Sequence, residues 1–227
     1  MFLRHLRQVF ICCFALSSLA AAAAPKTHVI TFGKWNTVQY HSDTDDKPLA
    51  LKIRPMLVDT RLKEFTLGSI HDVTDRLFVV QRAFRVNDGL PEDSAPHWQW
   101  QPGGWLLVDR ATGHVSSLNL PEFDAFFSTP SWYRDYAAYC GISDDGKKIY
   151  AVVAQIGRRK PILKKLLLEN DPGKKEEPRP CSMPSWERSP ARVTFVSAGD
   201  ARQTFAIRGH TVDIVTDMQD EEEEAVK

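Results

Sequence analysis

Two segments, WLLVDRATGHVSSL at residues 105–118 and YCGISDDGKKIYAVV at residues 139–153, decide the fold class. Each consists of two runs of apolar and β-branched residues joined by a short polar turn. The dipeptide Asp145-Gly146 readily adopts the positive φ that hairpin turns require, and Gly113 can do the same at the end of its turn. Both segments are therefore predicted to be β-hairpins.

The same pattern recurs along the chain. Residues 67–81 and 194–208 each show a short strand, a polar turn and an apolar strand, and weaker hairpin signals follow at 158–168 and 209–216. The N-terminal part is predicted to be one more unit, with 28–32 pairing with 35–40, and 49–58 pairing with 63–67. Because Pro55 lacks an N–H for the ladder, its strand should lie at an edge or carry a bulge.

The segments WLLVDRATGHVSSLNL (105–120) and SDDGKKIYAVV (143–153) together resemble the repeat unit of TolB-like and WD40-like β-propellers. In that family an Asp-Gly turn joins the first two strands of a blade, and a D-x-x-T-G turn, here Asp109 to Gly113, joins the outer pair. The resemblance implies an all-β, propeller-like array of about four four-stranded antiparallel units, complete or incomplete. A β-sandwich is the alternative if the N-terminal unit fails. Since such repeats serve binding platforms and enzymes alike, the resemblance concerns the fold alone.

The N-terminus has the pattern of a secretory signal peptide. Arg4 and Arg7 precede an apolar run from residue 9 to residue 24, and Ala21 and Ala23 form an A-x-A site that places the cut after Ala23. The run is shorter than the roughly 20 residues that a membrane-spanning helix needs. We therefore expect a signal peptide at 1–23, a single periplasmic or secreted β domain at 24–216, and no transmembrane span after cleavage.

Charge and composition limit the kinds of partner that are expected. The 29 basic and 29 acidic residues balance, which argues against a nucleic-acid partner. Residues 217–227 include four consecutive glutamates and are predicted to be a solvated, disordered tail. Two linkers, at 87–96 and 169–190, interrupt the strand pattern.

Two cysteines remain after the predicted cleavage. In an oxidising compartment Cys140 and Cys181 form either a disulfide or two separate buried thiols, and the sequence leaves both open. Neither belongs to a C-x-x-C pair, so no zinc site is predicted.

The sequence contains no recognisable catalytic or cofactor motif. It has no G-x-S-x-G elbow and no glycine-rich phosphate loop, so we predict no catalytic residue, no cofactor and no metal ligand. The densest polar cluster is His71, Asp72 and Asp75, which is expected on the turn between two strands. Such a cluster could bind a divalent metal or share a proton, but capping of its own turn is favoured.

Aromatic side chains form a second candidate surface. Trp98, Trp100 and Trp132 are expected on loops, where flat rings can stack on sugars or anchor a protein partner. Burial in the core is the alternative and the commoner use of such residues.

A basic run forms the third candidate. Arg158, Arg159 and Lys160, followed by Lys164 and Lys165, could meet an anionic partner such as lipopolysaccharide phosphates or an acidic polysaccharide. The favoured interpretation is that this run lies on the solvated face of an outer strand, where lysines prevent edge-to-edge pairing. The acidic tail could also neutralise the run within the molecule.

Two functions follow from these features. The first is an exported non-enzymatic β scaffold that binds a protein or a cell-envelope component such as a glycan. The alternative is an exported hydrolase or lyase that acts on a saccharide or phosphoester with carboxylates from separate units. Those carboxylates would be Asp72, Asp75, Asp135 and Asp144, beside His71 or Arg134. Convergence of two of them in one pocket would favour the enzyme, and dispersal would favour the scaffold.

Overall fold

A computed structural model describes residues 28–42, 45–92, 94–169, 181–196 and 202–215. The predicted signal peptide (1–23) and acidic tail (217–227) lie outside these residues, as do residues 170–180 of the predicted linker 169–190. Every regular element in the described ranges is a β-strand, and all strand pairs are antiparallel. Within the same ranges the chain has no helix long and apolar enough to cross a membrane. The all-β prediction is confirmed.

The strands form three sheets. Sheet A has seven strands in the order β1-β3-β4-β5-β6-β7, with β2 also paired to β3. Its strands are β1 (Ile30–Phe32), β2 (Asn36–Ser42), β3 (Asp45–Val58), β4 (Arg61–Asp72), β5 (Leu77–Asn87), β6 (Trp98–Asp109) and β7 (Val115–Leu118). Sheet B has the order β11-β10-β9-β8 and comprises β8 (Ser131–Tyr133), β9 (Tyr136–Ile142), β10 (Lys148–Gln155) and β11 (Leu163–Glu169). Sheet C has the order β12-β13-β14-β15 and comprises β12 (Ser185–Arg188), β13 (Ala191–Val196), β14 (Arg202–Arg208) and β15 (Thr211–Val215).

The two hairpins that decide the fold are present as predicted. Strand β6 pairs with β7 and strand β9 pairs with β10. Gly113 has φ 64° and Gly146 has φ 70°, in the left-handed region where glycine has no steric penalty. A side chain at position 113 would also collide, because its Cβ would lie 2.7 Å from the Val58 side chain.

Sheet B is the middle layer, because both of its faces are buried. On one face Ala137, Tyr139 and Val152 pack against Val79 and Trp105 of sheet A. The intervening residues of β9 and β10 face sheet C and form a second buried cluster with it. This cluster consists of Ala138, Cys140, Ile149, Ala151 and Val153 of sheet B and Val193, Phe195, Phe205 and Ile207 of sheet C. The alternation follows from the two-residue period of a strand. Burial on both faces explains why β9 and β10 are apolar almost throughout.

One of the two strand pairs predicted for the N-terminal unit is confirmed, because 49–58 and 63–67 pair as β3 and β4, whereas the pairing of 28–32 with 35–40 is wrong. Strands β1 and β2 do not form a hairpin with each other, since Phe32 pairs with Met56 and Asn36 pairs with Ile53, both on β3. The two strands therefore form one interrupted edge of β3. Strand β3 in turn pairs with β4, so this unit extends sheet A instead of forming a separate four-stranded sheet.

Pro55 explains the interruption. The N–H and the C=O of a strand residue point to the same neighbouring strand. The Pro55 carbonyl accepts a hydrogen bond from the Gly33 N–H at 2.9 Å, so this side of Pro55 faces the break between β1 and β2. The N–H that a proline lacks would point to the same side, where no strand residue in the described range needs it. Gly33 fits only without a side chain, because its Cβ would lie 2.5 Å from Pro55 Cγ. Pro55 thus lies on an interior strand, next to a broken edge and a register shift between Met56 and Leu57.

The predicted linker 169–190 contains an additional strand. Strand β12 lies within it and pairs with β13, so reading the whole segment as a linker is wrong in this part. Just before β12, Cys181 lies at disulfide distance from Cys140 of β9, with the two Cα atoms 6.1 Å apart. The pair connects the middle sheet to the start of sheet C.

We expect Gly33→Ala to lower the free energy of unfolding by about 1–3 kcal/mol, the usual cost of forcing a methyl group into a packed site. The proline ring cannot move aside as a flexible side chain would. Gly104→Ala is the matched control, because a Cβ at position 104 meets nothing within 4 Å. Urea unfolding of both variants measures the difference, and equal losses would contradict the proposed contact.

Reduction of the Cys140–Cys181 pair should destabilise the domain. A sequence separation of 41 residues corresponds to a loop-entropy contribution of roughly 3–4 kcal/mol. Thermal melts with and without dithiothreitol should show a large drop in Tm for the native chain and none for Cys140→Ala/Cys181→Ala. An unchanged native Tm after confirmed reduction would contradict this contribution.

Candidate functional site

The structure separates the predicted surface residues into three regions. His71, Asp72, Asp75 and Trp132 lie near the contact between sheets A and B. Trp98 and Trp100 lie on β6, and Arg158, Arg159 and Lys160 lie between β10 and β11. Each region has its own partners, so the residues do not form a single site.

His71 and Trp132 are part of the contact between sheets A and B. His71 lies near the end of β4 instead of on the following turn, and its Nε2 is 2.7 Å from the Arg134 carbonyl oxygen. Its ring stacks on Trp132 with 5.6 Å between centroids and 22° between planes. Trp132 in turn lies 5.0 Å from the ring of Trp105, which is buried. This stack positions the start of sheet B against β4.

Asp72 and Asp75 hold two neighbouring turns together. The Arg110 guanidinium donates to Asp72 Oδ1 at 2.6 Å and to the Asp75 carbonyl oxygen at 3.3 Å. Arg76, from the same turn as Asp75, donates back to Asp109. Across the described ranges no three His, Cys, Asp or Glu side chains are grouped so that they could hold a metal ion. The predicted polar cluster therefore helps to connect the β4–β5 turn to the β6–β7 turn.

Asp109 stabilises the D-x-x-T-G turn through hydrogen bonds to the backbone of the turn. Its Oδ1 accepts hydrogen bonds from the backbone N–H of Ala111 at 2.8 Å and of Thr112 at 3.3 Å. The Arg76 side chain donates to the same carboxylate, and this bond is the main reason why the pKa of Asp109 is well below its usual range. The aspartate is thus required in its ionised form.

The carboxylates predicted for an enzyme take separate partners. Asp72 pairs with Arg110, whereas Asp135 accepts a hydrogen bond from Gln155 Nε2 at 2.8 Å. Asp144 lines a cleft of ≈ 600 Å³ between sheets A and B, next to Glu122 and Asp124, which the sequence analysis did not select. No sequence signal marked these two residues, because the cleft is formed by contacts that are distant along the chain.

Two of the three acids in this cleft already have structural roles. Glu122 Oε1 accepts a hydrogen bond from the Lys164 ammonium, which also lies over the ring of Tyr150. Asp124 Oδ1 accepts a hydrogen bond from the Phe126 N–H at 2.7 Å and so caps its own turn. One oxygen of Glu122 and one oxygen of Asp124 are therefore engaged in these contacts.

An aromatic and cationic surface lies on sheet A. We call it the Trp98 strip and define it as Phe65, Arg85, Trp98 and Trp100. The Arg85 guanidinium lies 5.6 Å from the ring centre of Trp98 and 5.4 Å from that of Trp100. Trp100 meets Phe65 edge to face at 4.9 Å, and Trp98 remains 57% exposed. The strip combines a fixed inner tryptophan with an outer one that is open to solvent.

The structure corrects the position of these tryptophans. They were expected on a loop, but β6 begins at Trp98 and pairs with β5, with Trp98 opposite Asn87 and Trp100 opposite Arg85. The alternation of polar and aromatic residues at 97–100 is the period of a strand. This signal is present in the sequence, but the preceding prolines favour a continuation of the linker.

The basic run is also placed differently from its prediction. Arg158, Arg159 and Lys160 lie in the connection between β10 and β11 and not on an outer strand. Lys164 and Lys165 do lie on β11, which is an edge of sheet B. Within the basic run as described, the predicted position on an outer strand therefore holds for Lys164 and Lys165 and not for the three preceding residues.

Comparisons with known proteins give no relative for this chain. No family model, no curated protein and no solved structure matches it. The function must therefore be inferred from the chemistry and geometry of the residues themselves.

We expect Asp109→Asn to lower the Tm at pH 7, because the amide loses the ion pair with Arg76. A carboxylate whose folded pKa is depressed contributes stability above its unfolded pKa of about 3.9, and this contribution is lost as the pH falls. The Tm difference between the native chain and the variant should therefore shrink between pH 5 and pH 2. Thermal melts across this range test the prediction, with Asp213→Asn, an exposed acid of sheet C, as the control. A constant difference would show that Asp109 acts through shape alone.

Proposed function

We propose that this chain is an exported, non-enzymatic β scaffold that binds a protein or a cell-envelope component through the Trp98 strip. The observation that carries the proposal is the exposed Trp98 held beside Arg85, with Trp100 fixed behind it. Large exposed aromatic groups beside arginine are typical of the residues that dominate binding energy at interfaces. The strip is preorganised, because the strands β5 and β6 fix the spacing of its members.

Export is supported by two features. The N-terminal sequence has the basic and apolar regions of a signal peptide. Cys140 and Cys181 lie at disulfide distance, which suits a periplasmic or secreted protein.

We further propose that β4–β7, sheet B and sheet C are consecutive units of an open, propeller-like array. Contacts between the first strands of successive units support this arrangement. His71 on β4 contacts Trp132 on β8, and Trp186 on β12 donates from its indole N–H to the Ser131 carbonyl oxygen on β8 at 3.0 Å. The face of sheet C that points away from sheet B carries polar residues such as Thr194 and Thr204, which suits an end of the array.

The catalytic alternative receives less support. A general acid and a general base must both be available to a substrate. In the cleft that contains Asp144, the neighbouring acids Glu122 and Asp124 are engaged by Lys164 and by their own turn. The partners of these carboxylates favour the scaffold.

Trp98→Ala should weaken binding to cell-envelope material by at least tenfold, as expected for a residue at the centre of an interface. Arg85→Ala should weaken it by a smaller factor of about 2–5, since an exposed cation–π contact contributes roughly 0.5–1 kcal/mol. Cosedimentation of the mature chain with sacculi and with envelope membranes of the source cell measures both effects.

Ile214→Ala is the matched control for this experiment. Ile214 is 58% exposed, as Trp98 is, but lies on sheet C. Its replacement should leave the bound fraction unchanged. Equal binding by the native chain and Trp98→Ala would refute the proposed surface, and equal losses in Trp98→Ala and Ile214→Ala would show nonspecific adsorption.

A further inference from the structure

A second concave site lies beside the break between β1 and β2. We call it the Trp35 pocket and define it by its lining residues Trp35, Thr37, Lys52, Gly68 and Ser69. Its volume of ≈ 570 Å³ falls in the range of small-molecule sites in proteins. No sequence signal marks these residues.

The indole of Trp35 is held in place from one side. The Arg54 guanidinium lies 4.1 Å from the ring centre of Phe32 and 4.4 Å from that of Trp35, so it fills the space between the two rings. Burial lowers the pKa of Arg54 below its usual value. Trp35 nevertheless remains 47% exposed. A flat aromatic surface is thus fixed by packing and still accessible.

Polar groups of three strands surround this surface. Thr37 on β2 is paired with Lys52 on β3, and both line the pocket. Gly68 and Ser69 lie on β4 where the register with β5 shifts. Gly68 has φ 58°, and a Cβ there would meet nothing within 4 Å, so this part of the pocket is open. The site therefore offers hydroxyl groups and one ammonium group around an aromatic ring.

This combination points to a class of ligand. The C–H face of a pyranose ring packs on an indole, while its hydroxyl groups exchange hydrogen bonds with serine, threonine and lysine side chains. Lys52 has no ion-pair partner among the residues whose side chains are described, and the described lining includes no carboxylate. An anionic substituent on the sugar would therefore meet a complementary charge.

We propose that the Trp35 pocket binds an acidic pyranose, that is, a hexuronic acid unit of a glycan, with Trp35 as the stacking platform and Lys52 as the partner of the sugar carboxylate. The pocket is separate from the Trp98 strip. Trp100 packs in one cluster with Ile53, whereas Trp35 packs on Arg54, and neighbouring residues of a strand point to opposite faces. The proposal therefore does not depend on the function assigned to the strip.

Isothermal titration of the mature chain with trigalacturonate and with neutral galactotriose tests this assignment. We expect the acidic trimer to bind more tightly than the neutral one. Trp35→Ala should weaken both at least tenfold, and Trp35→Phe should retain part of the affinity. Lys52→Gln should weaken the acidic trimer several-fold and leave the neutral one unchanged. Thermal melts of each variant confirm that the fold is intact.

Trp98→Ala is the matched control and should bind both trimers like the native chain. No binding of either trimer at millimolar concentration, or native affinity in Trp35→Ala, would overturn the proposal. Loss of trimer binding in Trp98→Ala with retention in Trp35→Ala would assign the sugar to the strip instead. If neither trimer binds, cosedimentation with envelope material through Trp98 is still expected. The two proposals can therefore fail separately.

Discussion

Burial of sheet B on both faces is the constraint on which the rest of the structure depends. Alternate residues of β9 and β10 pack against sheet A and sheet C, so each of the outer sheets has one face committed to the core. The central Tyr139 remains compatible with this position because its hydroxyl group donates to the Pro121 carbonyl oxygen at 2.7 Å. Burial also raises the pKa of Tyr139, which keeps the phenol neutral in the core. Apolar packing therefore fixes the layers, and the Tyr139 hydroxyl group is one of several polar contacts that connect the middle layer to the loop after β7.

The charged residues near this core mainly join turns and loops to the sheets. Arg110 binds Asp72, Arg76 binds Asp109, and Lys164 binds Glu122, each pair linking segments that are distant in sequence. These pairs are largely exposed, so each contributes modestly to stability. Their structural consequence is specific for one candidate: Asp72, which the sequence offered for chemistry, is held by Arg110. The aromatic residues, in contrast, leave exposed surface at Trp35 and Trp98.

Local signals in the sequence predicted the strands and their turns, whereas contacts between distant segments decided the sites. Gly113 and Gly146 mark their turns because positive φ is a property of a few residue types. The pairing of β1 and β2 with β3 could not be predicted in the same way, because it depends on the contact between Gly33 and Pro55. The Trp35 pocket follows from that contact and had no local signature. Trp98 is exposed and Trp100 is half-buried, and the neighbouring prolines obscure the signal of the strand that carries both.

The two exposed tryptophans share one physical arrangement. In each case an arginine on an adjacent strand covers part of the indole, so the ring loses little conformational freedom when a partner binds. The surroundings differ, since Trp98 continues into an aromatic row and Trp35 stands among hydroxyl groups and Lys52. A row of rings along a strand suits an extended partner, whereas a ring at the side of a pocket suits a compact polar ligand. Because sheet A presents these surfaces on opposite faces, a molecule that covered one of them would leave the other open.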